Sequence, residues 1–179
     1  MVERQTFLID TMKTPLGTAI LIVDEHGALR MHMWEDPEET WRKRFHDYHG
    51  DSALVARRDP FGHVATLERY FDGEITALES ISVAFVGTPF QTKVWNALRT
   101  IAGGTTLSYG ALAKRIGDPK AVRAVGLANG RNPIGVVVPC HRVIGSNGSL
   151  TGYGGGLPRK RWLLEHEARH STFRLEVSA

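Results

Sequence analysis

The sequence is poor in cysteine and lacks long apolar runs, and each shortage excludes a class of protein. Its 179 residues contain one cysteine, Cys140. A single cysteine excludes an internal disulfide and a cysteine-rich zinc site, and it fits a reducing compartment. No segment is long and apolar enough to predict a membrane-spanning helix, and the first 18 residues alternate polar with apolar, unlike a secretion signal. We therefore expect a cytoplasmic protein without a membrane partner or a metal.

Acidic residues are scarce in the second half of the chain. Residues 1–87 hold 9 Lys and Arg against 15 Asp and Glu, a net charge of −6, whereas residues 88–179 hold 13 against 4, a net charge of +9. A basic half is typical of proteins that bind polyanions such as nucleic acids. The same charge also fits a solvated surface without a partner, so charge alone leaves both interpretations open.

The only cysteine lies in an unusual segment. Three consecutive valines at residues 136–138 predict a buried strand, and Pro139 ends it because proline has no N–H for a strand partner. Cys140 follows, with His141 and Arg142 next to it. A cysteine beside valines is often an inert core residue. Cationic neighbours lower the pKa of a thiol, however, and we therefore favour a reactive cysteine.

The residues around the cysteine resemble the active-site motif of the O6-alkylguanine-DNA alkyltransferases, a family of single-turnover DNA repair proteins. The motif here is Pro139-Cys140-His141-Arg142-Val143, and further matches follow the expected order on both sides. They are Gly87-Thr88-Pro89-Phe90-Gln91, Val94-Trp95, Ser108-Tyr109-Gly110, Arg123-Ala124-Val125-Gly126, Asn132-Pro133, Gly152-Tyr153-Gly154-Gly155-Gly156, Trp162-Leu163-Leu164 and His166-Glu167. The layout is most similar to the stand-alone bacterial form of the family.

The resemblance implies a direct and irreversible reaction at Cys140. The thiolate takes the alkyl group from O6-alkylguanine, and from O4-alkylthymine, in DNA, and the thioether product allows one turnover without a cofactor. Adjacent residues of an extended segment point to opposite sides, so we expect a water between Cys140 and His141. The family roles that map onto this chain are an orienting carboxylate at Glu167, a proton donor to the leaving base at Tyr109, and a hydrogen-bonding hinge at Asn132.

Two short helices are predicted between the first match and the cysteine. Ser108 is a good N-cap for a helix over residues 109–116, and Asp118 followed by Pro119 predicts a second helix that runs to about Asn129. Two short helices joined by a tight turn are typical of a helix-turn-helix. The second is rich in small residues, which fits either tight packing on its neighbour or a close approach by another surface.

In the family that the sequence resembles, the second helix of this motif enters the minor groove of double-stranded DNA. The resemblance implies that Arg123 inserts into the base stack where the alkylated nucleotide flips out. Val122 stands where many relatives have alanine, which would alter the fit to the groove. The residues that are implied to contact DNA are Arg123, Ala121, Val122, Ala124, Gly126 and Tyr109.

Glycine is concentrated after the cysteine segment, in a stretch that by composition alone predicts a flexible linker. The resemblance implies instead that this loop forms one wall of the pocket for the flipped base. Gly154 stands where some relatives have serine, so one hydrogen bond to the base is expected to be missing. The implied pocket residues are Tyr153, Gly154, Gly155, Gly156, Val143 and Pro139.

The last predicted helix begins at Pro158 and carries Glu167 near its end. A carboxylate near a helix C-terminus is unfavourable, because the carbonyl groups there carry partial negative charge. We therefore expect a positively charged or hydrogen-bonding partner for Glu167.

The sequence pattern of the first half of the chain predicts an α/β domain. Alternating apolar residues predict strands over residues 5–10, 18–23, 28–34 and 81–85. Asp36 and Asp59, each followed by proline, predict the starts of two helices. We expect the five histidines of this half at the surface and no catalytic group among them.

The resemblance implies two domains. Residues 1–87 would form a ribonuclease H-like sheet with helices that acts as a scaffold. Residues 88–179 would form a mostly helical domain with the helix-turn-helix, which binds DNA and carries out the transfer. We expect the protein to act as a monomer.

Two other classes of function stay open. A DNA-binding module without chemistry would keep the helix-turn-helix and the basic half, although family members of that kind lack the cysteine. A cysteine hydrolase would also use a cysteine and a histidine, but it would turn over many times, whereas an alkyl acceptor is used up.

Overall fold

A four-stranded mixed sheet forms the first half of the protein. The computed structural model describes residues 5–178, with side chains for residues 5–171. The strands are β1 (Thr6–Thr14), β2 (Gly17–Asp24), β3 (Leu29–Trp34) and β4 (Ala53–Ala56), in the order β3-β2-β1-β4. The first three predicted strands are confirmed and form an antiparallel meander of β1, β2 and β3, and β4 adds a parallel strand next to β1 that was not predicted. Residues 1–4 of the first predicted domain and Ala179 of the second lie outside the described residues.

Both faces of the sheet are covered, which explains the continuous apolar run in β2. On one face, helix α1 (Glu38–His49) buries Trp41 and Phe45 against Phe7, Ile20 and Ile22. On the other face, the main core combines residues from both halves of the chain, such as Leu21 and Val23 of β2 with Trp95 and Leu163. The sheet therefore packs directly against the part of the chain that carries the cysteine.

Both helices that were predicted in the first half are present, but each begins later in the sequence than predicted. Pro37, not Asp36, is the N-cap residue of α1. After Asp59 a short 3-10 helix, Pro60–Gly62, precedes α2 (His63–Phe71), and a second 3-10 helix spans Ile75–Ser80. The predicted strand over residues 81–85 is wrong, because only one residue of it, Val83, forms a bridge to the sheet.

Side chains cap the starts of two later helices, and the cap predicted at Ser108 is confirmed. Helix α3 (Pro89–Leu98) begins with a reciprocal capping box between Thr88 and Gln91. Helix α4 (Tyr109–Arg115) begins at Ser108, whose hydroxyl accepts the N–H of Ala111. Both signals act within three residues of the helix start, so they depend little on the rest of the fold.

The predicted start of the next helix at Asp118 is wrong. Helix α5 (Val122–Gly130) begins three residues after the predicted first residue, Pro119, because Asp118 closes a turn in which its carbonyl accepts the N–H of Ala121 at 3.0 Å. The last helix, α6 (Leu157–Ser178), extends well beyond Glu167, which therefore lies in its middle and not near its end. Within residues 5–178 no helix is both long and apolar enough to cross a membrane.

The segment before the cysteine is buried but is not a strand. Residues 136–138 form tight turns, with Val136 in the left-handed region at φ 68°. The N–H groups of Val137 and Val138 donate to the carbonyls of Gly135 at 2.8 Å and Ile134 at 2.9 Å. The run of valines therefore correctly predicted burial, but the backbone groups are satisfied locally and need no neighbouring strand.

Strand β3 is hydrogen-bonded to the chain just ahead of these turns. His32 N donates to the carbonyl of Pro133 at 3.0 Å, and Gly135 N donates to the carbonyl of His32 at 2.9 Å. The cysteine follows in a short 3-10 helix, Cys140–Arg142, which leads into β6 (Val143–Ile144), a strand paired in parallel with β5 (Leu107–Ser108). Hydrogen bonds to the edge strand β3 thus hold residues 133–135 in place, a few residues before the cysteine.

Candidate active site around Cys140

The thiol of Cys140 is nearly inaccessible, with 7% of the residue exposed. Burial raises the pKa of Cys140, and the Asn132 side chain and the Lys160 ammonium oppose that rise only in part. The expectation that neighbouring cations lower this pKa is wrong, because His141 and Arg142 direct their side chains to a carboxylate on α6. The resting thiol is therefore neutral, and its reaction as a thiolate requires a proton acceptor.

That carboxylate, Glu167, is fully buried and surrounded by donors. Its Oε1 accepts from Nε2 of His141 at 2.7 Å and from the hydroxyl of Tyr70 at 2.8 Å. Arg142 donates to both oxygens at 2.8 Å, in a bidentate pair. Gly104 N adds a bond to Oε2 at 3.3 Å. The partner that was expected for Glu167 is present, although burial and not the end of a helix makes it necessary.

The charges around Glu167 keep it ionised. Burial alone would raise its pKa, but His141 and Arg142 more than offset this and hold the pKa of Glu167 well below its usual range. An ionised carboxylate only accepts hydrogen bonds, so Nε2 of His141 carries a proton. The other ring nitrogen, Nδ1, is buried and has no hydrogen-bond partner among the described residues. Glu167 thereby leaves Nδ1 of His141 as a base.

Asn132 fastens the turns that carry the cysteine. Its side-chain amide donates to the carbonyl of Val138 at 2.8 Å, and its side-chain oxygen accepts the N–H of Ile134 at 2.9 Å. Both bonds are buried. Asn132, which was predicted to act as a hinge, thus bonds to both ends of the segment from Ile134 to Val138.

A buried lysine joins strand β6 to the loop that follows it, near the cysteine. Lys160 is fully buried, and its Nζ donates to the carbonyls of Val143 at 2.5 Å and Thr151 at 3.1 Å. The Thr151 carbonyl also accepts the hydroxyl of Tyr109 at 3.0 Å, and the Tyr109 ring lies 6.0 Å from Nζ. Sequence reasoning missed Lys160, because a lysine between two arginines at the start of a helix is typical of a solvated surface.

Cys140 lines a pocket that lies between the two halves of the chain. Three of the predicted pocket residues, Tyr153, Gly154 and Gly155, line it together with Asn132. The other three do not: Gly156 and Val143 lie outside its lining, and Pro139 borders a second crevice. No group of three or more His, Cys, Asp or Glu side chains in the described part of the chain is arranged to hold a metal ion.

The first half of the chain contributes the opposite wall, which sequence reasoning did not foresee. Its lining residues are His32, Met33, Trp34, Asp36, Pro37, Thr40 and Arg44. His32 and His63 are buried, contrary to the expectation of surface histidines. Nδ1 of His32 donates to the carbonyl of Gly135 at 2.8 Å, and burial lowers the pKa of His32 to about 4, so the ring is neutral.

Three of the six residues that were predicted to contact DNA are exposed in the first turn of α5. Val122, Arg123 and Ala124 are exposed, whereas Val125 and Ala128 face the core. Gly126 is half-buried beside the ring of Tyr109, which a Cβ at that position would meet at 3.9 Å. Ala121 is half-buried at the start of the helix. Helix α5 thus lies beside Tyr109 at Gly126 and borders the pocket at Asn129 and Gly130.

Comparison with known proteins identifies the family of this chain. Residues 89–169 match the family described as 6-O-methylguanine DNA methyltransferase, DNA binding domain. The methylated-DNA–protein-cysteine methyltransferase of Salmonella typhimurium is 46% identical over 162 residues, which cover 89% of this chain and 95% of the relative. This chain belongs to the methylated-DNA–protein-cysteine methyltransferase family. The member from Methanosarcina acetivorans is 58% identical over 156 residues, 87% of this chain and 94% of the relative.

Solved structures of the family share the fold. The Mycobacterium tuberculosis OGT in complex with DNA has a TM-score of 0.78 at 41% identity, over 92% of this chain and 94% of that one. The O6-methylguanine-DNA methyltransferase of Pyrococcus kodakaraensis has a TM-score of 0.68 at 25% identity, over 90% and 98% of the two chains. The family assignment made from the cysteine motif is confirmed, as is the combination of a small mixed sheet with helices.

Proposed function

We propose that this protein repairs alkylated DNA by moving the alkyl group from O6-alkylguanine, and from O4-alkylthymine, onto Sγ of Cys140. The observation that carries the proposal is the buried thiol at a pocket, next to a histidine that a buried carboxylate holds by one nitrogen. This is the arrangement of nucleophile, base and orienting group that activates a thiol. The names of the relatives supply the rest, since they specify methylated DNA as donor and a protein cysteine as acceptor.

The reaction is a displacement at the alkyl carbon. The Cys140 proton passes through a water to Nδ1 of His141, and the Glu167 carboxylate stabilises the imidazolium that forms. The thiolate attacks the alkyl carbon, the new S–C bond forms, and the C–O bond to the base breaks with its electron pair on oxygen. Tyr109 donates a proton to the leaving base and regains one from solvent, to which the imidazolium of His141 returns the cysteine proton. Asn132 keeps the cysteine turns in position.

The product explains why the protein acts once. A thioether is not a disulfide, so cellular thiols cannot reverse it, and the sequence contains no second cysteine to remove the alkyl group. The proposal requires no cofactor, because the protein and the alkylated base supply every atom that moves. We place the reaction in the cytoplasm, where a single cysteine stays reduced, and in a monomer.

DNA binding is assigned to residues 88–179, with α4 and α5 as a helix-turn-helix and α5 in the minor groove. The flipped base enters the pocket and Arg123 fills its place in the stack. Support comes from the exposed face of α5, the net charge of +9 on this half, and the complex of the M. tuberculosis relative with DNA. In this proposal Ala121, Val122, Ala124 and Gly126 contact the groove.

The remaining assignments concern the base and the scaffold. Tyr153, Gly154 and Gly155 surround the flipped base, and their place in the lining of the pocket supports this. Residues 1–87 form a scaffold of ribonuclease H-like topology. Its support is the strand order β3-β2-β1-β4 with β4 parallel to β1.

Counting the lesions that each protein molecule removes tests the function against both alternatives. Duplex DNA with O6-methylguanine in tenfold excess over protein should lose one lesion per protein molecule, and the Cys140→Ser variant should remove none. Binding without any loss of lesions would instead identify a DNA-binding module. Removal of many lesions per molecule would identify a catalyst that turns over, and either result would contradict the proposal.

A further inference from the structure

One arginine ties the glycine-rich loop to the first half of the chain. Arg159, in the first turn of α6, lies over the indole of Trp34 on β3, with its guanidinium carbon 4.5 Å from the ring centroid. Nε of Arg159 donates to the carbonyl of Leu16 in the β1–β2 hairpin at 3.0 Å, and Nη1 donates to the carbonyl of Gly155 at 3.2 Å. The loop, the hairpin and β3 are therefore held together at a single side chain.

The glycine-rich loop lies directly against the indole. A Cβ at Gly155 would overlap Nε1 of Trp34 and would also meet the Tyr153 ring at 2.7 Å. Gly154 is different, since a Cβ there would meet only the carbonyl of Gly130 at 3.9 Å. The position of the loop at Gly155 is thus determined by contact with Trp34, and the arginine prevents the loop from moving away.

Trp34 and Gly155 line the same pocket as Cys140. We propose that Trp34, held by Arg159, limits the size of the alkyl group that the pocket accepts. A methyl group adds little volume to the base, whereas a larger substituent on O6 has to displace either a rigid two-ring side chain or a loop that is tied in place. This inference rests on the proposed function, because it concerns the substrate range of the same transfer.

The inference assigns lesion range to the first half of the chain. Trp34 lies outside residues 89–169, which match the DNA-binding domain of the family. Substitutions at Trp34 should therefore change which lesions react while the nucleophile, base and orienting carboxylate stay the same.

The test compares two lesions in the same duplex, O6-methylguanine and O6-benzylguanine. Single-turnover rates of transfer are measured for the wild-type protein and for Trp34→Ala, Trp34→Phe and Arg159→Met. Trp34→Ala should raise the ratio of the benzyl to the methyl rate by roughly 10-fold or more, since pocket contacts of this size carry about that discrimination. Trp34→Phe and Arg159→Met should raise it less, because each keeps part of the wall.

The chain offers a matched control in a second arginine–tryptophan stack. Arg42 lies over Trp41 at the same 4.5 Å, but neither residue lines the pocket. Arg42→Ala should leave the ratio at its wild-type value.

A ratio that stays at the wild-type value in folded Trp34→Ala would overturn the inference, as would equal losses on both lesions, which a purely structural role predicts. If Trp34→Ala does not fold, an unchanged ratio in Trp34→Phe and Arg159→Met overturns it. Failure of the wild-type protein to transfer even the methyl group would contradict the proposed function itself, so the two failures are distinguishable.

Discussion

Glu167 combines a structural and a chemical role in one side chain. It neutralises the buried guanidinium of Arg142 and holds the ring of His141 in one tautomer. In Glu167→Gln the shape is kept but Arg142 stays buried without a counter-charge, and such losses cost about 3–5 kcal/mol of unfolding free energy. Glu165→Gln is the matched control, because Glu165 is exposed on the same helix and its loss should have little effect.

We predict that Glu167 and His141 affect the rate of alkyl transfer as a coupled pair. His141→Ala and Glu167→Gln should each slow single-turnover transfer by roughly 100-fold, the usual contribution of a positioned base. The double variant should lose little more than either one, because residues that act as a unit are non-additive. Rates are measured at temperatures where each variant is folded. Single losses that simply multiply would show that the two residues act independently.

Acid should remove the stabilisation that Glu167 provides. Its pKa in the folded protein is held below the unfolded value of about 4.3, so its ionised form stabilises the fold above that pH, and the contribution is lost as pH falls through the folded pKa. Urea unfolding of the wild-type protein and Glu167→Gln should therefore differ most above about pH 5 and converge progressively below pH 4. A constant difference down to pH 3 would contradict this.

Among the secondary-structure elements, helix α5 gives a testable prediction about repair in duplex DNA. Arg123→Ala should slow repair in duplex DNA more than reaction with the free alkylated base, because only the duplex has a vacated place in the stack to fill. Arg57→Ala, an exposed arginine next to β4, is the control and should leave both reactions unchanged. Equal losses on duplex and free base in Arg123→Ala would argue against this role.

Elements with local signals were predictable from the sequence. The cap at Ser108 was found because it is satisfied within three residues. The Asp118-Pro119 pair resembled such a cap, but it closes a turn before α5. The valines at 136–138 predicted burial and not backbone geometry, because side-chain character does not specify which groups the backbone N–H atoms will bond.

The site was predictable only where a motif marked it. Cys140, His141 and Glu167 came from the resemblance, and the His141–Glu167 bond agrees with it. Tyr70 was missed, because it lies 97 residues from Glu167 in sequence and its local pattern indicates only a helix face. His32 and Lys160 were missed for the same reason, since their roles arise from burial against distant segments.

For the whole molecule, the uneven charge predicts strong salt dependence. The affinity for duplex DNA should fall as salt rises, because lysines and arginines of the basic half displace counterions from phosphates. Each phosphate contact should make the slope of log affinity against log salt more negative by roughly 0.9. Fluorescence anisotropy over a salt series with a Cys140→Ser protein measures this without transfer. An affinity independent of salt would contradict DNA binding through the basic half.

Transfer to one cysteine is the central claim, and intact-protein mass spectrometry tests it most directly. After incubation with an equal amount of duplex DNA bearing O6-methylguanine, the protein should gain one methyl group in place of a hydrogen, and peptide sequencing should locate it on Cys140. The same protein should then fail to repair a second portion of methylated DNA. An unmodified protein together with repaired DNA, or a methyl group on any other residue, would contradict the account.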